Sequence, residues 1–133
     1  MDSDYESLIV KAFFAKSYQD RIRYELASPK KRQDAIGRLS HHYQDVLNTS
    51  LMHPVNCSDA AEIRDILISH QASHEAYVIS FNTAVDGSYL PLAEALASTV
   101  HFGMPSLVVC NLNLAYFEGE QGFGPPPRSI LRR

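Results

Sequence analysis

From Tyr5 to Leu26 the apolar side chains Leu8, Ile9, Ala12, Phe13, Ile22 and Leu26 recur at steps of three and four, and Phe14 and Tyr18 widen the stripe. That spacing predicts a helix with one buried face, with Asp4 placed to accept at its N-cap. Pro29 disfavours helical geometry in the residue before it and suits the first turn of a new helix, so the first helix should stop at Ala27 and Ser28. The second helix runs to about Asn48, with Ile36, Leu39, Tyr43, Val46 and Leu47 inward and Asp34, Arg38, His41 and Asp45 outward. After a loop through His53, Pro54 and Cys57, Asp59 and Glu62 stand three apart like a capping box. They open a short third helix with Ile63, Ile66 and Leu67 inward.

The period then changes. Ala76 to Phe81 is a short apolar run that reads as a buried strand, and Asp86-Gly87 marks a turn after it. Helical spacing returns from Pro91 to His101 through Leu92, Ala95, Leu96 and Val100, with Gly103 placed to close that helix. Three further strands are expected at Ser106 to Cys110, Leu114 to Glu118 and Arg128 to Arg132. A strand-helix-strand crossover favours parallel pairing of the first two strands, and the short Asn111 to Asn113 link favours antiparallel pairing of the second and third. The expected fold is therefore α+β, with N-terminal helices packed on a C-terminal four-stranded mixed β-sheet that has one crossover helix. A single domain over 1–133 follows, with a mainly helical half at 1–70 and a sheet-forming half at 76–133.

Composition agrees with a folding chain: among 133 residues, 45% are apolar and 20% charged, against the low hydrophobicity and high net charge of disorder. The net charge of −3 lacks the strongly basic balance of a dedicated nucleic-acid binder. No apolar run approaches the ~20 residues that span a bilayer, and Asp2, Asp4 and Glu6 stand where a signal peptide would be basic. A cytoplasmic location with no membrane partner is expected. Two cysteines, Cys57 in a loop and Cys110 in an apolar strand, do not make a secreted disulfide framework, and both are taken as reduced.

Candidate chemistry is sparse. Glu118 and Glu120 would share a face if the strand persists through Gly119, and with Asp86 they could gather three acids at one end of the sheet, as metal-assisted hydrolysis requires. However, no lysine occurs in residues 56–133 to complete an acid-acid-lysine site, and a strand end paired with Arg128 or Arg132 is the simpler reading. The histidine pairs His41/His42 and His70/His74 bring no third ligand, so no metal and no cofactor are expected. Cys57 precedes a helix start and has His53 upstream, but a single short loop is an unusual place for a Cys-His pair. No glycine pattern matches a phosphate-binding loop or dinucleotide fingerprint.

Two surfaces remain. Between Arg21 and Arg38 lie six basic and two acidic side chains, and Lys30, Lys31, Arg32 and Arg38 could meet phosphates at the helix junction. Only Tyr24 and Tyr43 stand nearby as aromatics, which makes a poor base-stacking platform. The loop from Gly119 to Pro127 is polar, glycine-rich and stiffened by three prolines, and it carries Phe123. The leading expectation is a non-enzymatic protein that binds a protein partner, or a second copy of itself, through this loop and the adjoining sheet end, with Phe123, Glu120 and Arg128 as contacts. The alternatives are a metal-assisted hydrolase using Asp86, Glu118 and Glu120, and nucleic-acid binding at the basic junction.

Overall fold

The first helix, α1 (Ser3–Phe13), starts where the side chain of Asp2, two residues before the expected Asp4, accepts the Tyr5 N–H at 3.0 Å. Its buried face is Glu6, Ile9, Val10 and Phe13, at successive steps of three, one and three, while Leu8, expected inward, is half exposed. The single helix expected to Leu26 breaks after Phe13, because this stretch exchanges backbone bonds with a distant segment. Ala15 N–H donates to the Val46 carbonyl, Asn48 N–H to the Phe13 carbonyl, and Phe14 forms a β-bridge with Leu47. A 3₁₀ turn at Lys16–Tyr18 then leads into α2 (Gln19–Ala27). The second expected helix also divides, into α3 (Arg32–His41) and the one-turn α4 (Tyr43–Val46).

The computed structural model describes all 133 residues. Beyond α4 lie β1 (Met52–Pro54), α5 (Ala60–Ser69), β2 (Glu75–Ser80), β3 (Tyr89–Pro91), α6 (Leu92–Thr99), β4 (Ser106–Asn111), β5 (Leu114–Glu118) and β6 (Arg128–Arg132). Asp59 caps α5 by accepting the Ala61 N–H. No helix is long and apolar enough to cross a membrane.

The sheet corrects the expected four-stranded mixed architecture. It has six strands in the order β1-β6-β5-β4-β2-β3, and every neighbouring pair is antiparallel. The crossover helix α6 is present, but it starts from β3 rather than from β2. Since β3 and β4 both run antiparallel to β2, the two strands that α6 joins are parallel to each other and flank β2. The crossover rule thus applies to β3–α6–β4 and not, as expected, to β2 and β4, which are antiparallel neighbours. The loop expected through His53 and Pro54 contains the edge strand β1, which pairs with β6.

Helices cover both faces. Tyr77, Ile79, Leu107, Val109, Ala115, Phe117 and Leu131 point toward α1–α4, and Ala76, Val78, Val108, Cys110, Leu114, Tyr116 and Ile130 toward α5 and α6. Strands buried on both faces read as continuous apolar runs, as β2 and β4 do here.

Both cysteines are free thiols, Cys57 in the β1–α5 loop and Cys110 inside the α5/α6 layer. Burial pushes the Cys110 thiol from 9.0 up to about 12. A raised folded-state value means that the protonated thiol adds stability below pH 9, and that this contribution is lost as pH rises toward 12. The Cys110→Ala variant is therefore expected to lose less stability between pH 9 and pH 12 than the parent chain, measured by urea unfolding across that window. Equal slopes would mean that the thiol titrates normally in the folded state.

Candidate functional site

One transverse row of the sheet is polar throughout. Ser80 on β2 pairs with Ser106 on β4, Ser106 with Glu118 on β5, and Glu118 with Arg128 on β6. All four are buried. Strand period places them on the α5/α6 face, one step beyond Val78, Val108, Tyr116 and Ile130. The two serine hydroxyls are 2.7 Å apart, and the Asn82 N–H donates to Ser80 Oγ at 2.9 Å.

Glu118 anchors the other half of the row. Its Oε1 accepts from Tyr116 O–H at 2.6 Å and Arg128 Nε at 2.9 Å, and its Oε2 accepts from the His101 N–H at 2.7 Å. Burial first, and then the bond to Glu118, push the Tyr116 phenol well above its usual range. Burial opposes the Arg128 charge, but the hydrogen bond and proximity of Glu118 outweigh it and raise its pKa.

His101, expected only as the end of the helix from Pro91, lies beyond α6, which closes at Thr99. It follows α6 with a left-handed backbone, φ 65°, a conformation that costs a non-glycine residue about 1–2 kcal/mol. The turn aims its N–H at Glu118 and lays its ring across to the Ser58 carbonyl, which contacts Nε2. A carbonyl only accepts and a guanidinium only donates, so Nε2 carries the proton and Nδ1 faces Arg128 Nη2, 3.5 Å away.

The loop from Gly119 to Pro127 leaves this row through a tight neck. Gly119 N–H donates to the Pro127 carbonyl at 2.8 Å, and a Cβ at position 119 would come within 2.5 Å of Pro127 Cγ. Gln121 N–H donates to the Gly103 carbonyl, which brings the loop beside exposed Phe102, and the Gln121 side chain bonds the Gly124 carbonyl. Glu120 sits 3.4 Å from His41 at the end of α3, an exposed pair of little energetic weight. Phe123 projects fully into solvent.

A second polar cluster lies on the α1–α4 side. Arg32 Nε and Nη2 donate to Asp86 at 2.6 and 3.0 Å, its Nη1 and Nη2 donate to Glu6 at 2.7 and 2.6 Å, and Nη1 also reaches the Leu26 carbonyl at 3.1 Å. Five N–H groups make five bonds. Tyr77 O–H donates to Glu6 at 2.6 Å, and Ser80 N–H to Asp86 at 3.0 Å. Burial opposes the Arg32 charge, yet the two carboxylates raise its pKa above the usual range.

The proposed acid trio is therefore dispersed: Asp86 is held by Arg32, Glu118 by Arg128, and Glu120 lies against His41. No group of three or more His, Cys, Asp or Glu side chains is arranged to hold a metal ion. The basic junction is likewise reduced. Arg32 is consumed by its ion pairs and Arg38 by Glu25, which leaves Lys30 and Lys31 exposed. Arg128, expected as a surface contact, is buried beneath the loop. Burial, and then Glu62, raise the Cys57 thiol, with Arg128 acting the other way.

Neither a protein-family model, nor a curated protein, nor a solved structure matches the chain.

Proposed function

We propose that this chain is a non-enzymatic protein that binds another protein through the 119–127 loop and the adjoining end of the sheet. Phe123 carries the reading. A phenylalanine left wholly in water forgoes about 1.5–3 kcal/mol of burial free energy, and Phe123 is the most exposed large apolar side chain in the chain. Its loop is longer than the turn requires: nine residues join β5 to β6, where about two suffice for an antiparallel pair. The closed neck and the prolines limit the entropy lost when such a loop is held by a partner.

The test compares Phe123→Ala with Tyr24→Ala, a control at another exposed aromatic on α2. A protein captured by the parent chain should bind the Phe123 variant more weakly by about 1–3 kcal/mol and the Tyr24 variant equally well, while both melt as the parent does. Self-association that disappears only in Phe123→Ala, read by analytical ultracentrifugation, would identify the partner as a second copy. Equal binding by both variants, or a large fall in melting temperature for Phe123→Ala, would overturn the reading.

A further inference from the structure

The two buried arginines differ in what they leave unspent. Every N–H of Arg32 is bonded within the protein, so that cluster has nothing to offer a ligand. The Arg128 side chain is 5% exposed, yet only Nε makes a short bond, Nη2 has a long contact with His101, and Nη1 makes none. Arg128 is also the one charged residue lining a crevice of about 290 Å³ between the β1–α5 loop and the proline end of the 119–127 loop, with Val55, Asn56, Cys57, Ser58, Pro125 and Pro126 around it. The backbone N–H groups of Asn56, Cys57 and Ser58 make no hydrogen bond within the protein. A nearly buried guanidinium with one terminal nitrogen unbonded, lining a recess, has the chemistry to receive an oxyanion.

The geometry points to this crevice as the seat of a carboxylate presented by the protein partner, an inference that rests on the loop being a protein contact. The volume is at the small end for ligand pockets, which suits one side-chain or terminal carboxylate and not a cofactor. Charge argues for a monoanion. Glu118 already neutralises much of Arg128, and Asp59 and Glu62 lie close enough to raise the Cys57 thiol, so a dianionic phosphate meets more repulsion than a carboxylate does. The loop supplies the second element of the motif, since Phe123 at its tip would pack an apolar residue of the same partner segment. A partner segment with an acidic residue near an apolar one fits both features.

Cys57 reports on the crevice because it lines it, whereas Cys110 is buried. The rates at which iodoacetate and iodoacetamide alkylate Cys57 share the same thiolate fraction, so their ratio measures attraction of a carboxylate and is independent of the thiol pKa. Relative to N-acetylcysteinamide, that ratio should be raised about threefold, because Arg128 receives the reagent carboxylate while Glu62 and Asp59 act against it. Acetate should slow the iodoacetamide reaction in a saturable way, and chloride at equal ionic strength should not. In Arg128→Gln, if folded, the ratio should fall to the free-thiol value; if that variant does not fold, the acetate protection of the parent chain decides. A ratio at or below the free-thiol value, absence of acetate protection, or a raised ratio surviving in folded Arg128→Gln would overturn the inference. Stronger protection by inorganic phosphate than by acetate would overturn the assignment to a carboxylate. Phe123→Ala should leave the alkylation ratio unchanged. A normal ratio with loss of partner binding in Phe123→Ala would therefore reject the crevice alone; a raised ratio with no loss of partner binding would reject the loop reading and, with it, the partner's carboxylate as occupant.

Discussion

Replacing Arg32 by methionine is expected to destabilise the fold by about 3–5 kcal/mol, the cost of removing one partner from a buried ion cluster. The reason lies in what is left behind. Glu6 and Asp86 are held by two salt bridges with both partners nearly buried, at 2.6 Å each. Without the guanidinium, two carboxylates face each other across a dry gap. They must take up protons or draw in water, and both disrupt the contact of α1 and α3 with the turn after β2. Urea unfolding of the variant measures the loss. Joint replacement of Glu6, Arg32 and Asp86 by apolar residues of similar volume, with Tyr77→Phe to remove the hydroxyl bonded to Glu6, is expected to recover part of the loss, because no buried charge then stands alone. A loss under 1 kcal/mol in the single variant would mean that water reaches the cluster.

Glu118→Ala is expected to cost a similar ~3–5 kcal/mol, through a different set of groups. The alanine removes the acceptor for Tyr116 O–H, Arg128 Nε and the His101 N–H together, and leaves a guanidinium buried at the centre of the sheet end. Glu118→Gln should cost less, since its carbonyl still accepts from Tyr116 and Arg128, but its amide would oppose the His101 N–H, donor against donor. Stability should thus fall in the order parent, glutamine, alanine. Amide exchange should quicken at His101 in both variants. Equal stability of the two variants would show that the His101 bond and the charge contribute nothing separable.

Much of the buried charge was legible in the helical periods. Glu6 stands at the head of the stripe Ile9, Val10, Phe13, and Arg32 at the head of Ala35, Ile36, Leu39, each at the same three-four-seven spacing. Two opposite charges on two buried stripes imply a pair, because a lone buried charge is too costly to keep. The third member, Asp86, sits in a turn with no period, so nothing local tied it to Arg32. On the sheet side, Glu118 continues the alternation of Leu114 and Tyr116, and Arg128 precedes Ile130 by the same step, which places both inside.

What the sequence determined by itself was local. The strands at Leu114–Glu118 and Arg128–Arg132, the Asp59 cap and the helical stretch after Pro91 follow from period, capping and the backbone limits of proline and glycine, which act within a few residues. So did the surplus length of the loop that carries Phe123. The tertiary structure alone decided the rest. Edge strands β1 and β3 are three residues each, too short to display an alternation, and they exist because β6 and β2 offer unpaired backbone groups beside them. The break after Phe13 exists because Val46 and Asn48 compete for its backbone. Strand direction, and with it the antiparallel sheet, depends on which strand a helix leaves from. The polar row of Ser80, Ser106, Glu118 and Arg128 draws on residues from 80 to 128 and is assembled only by register, a long-range property that no local pattern encodes.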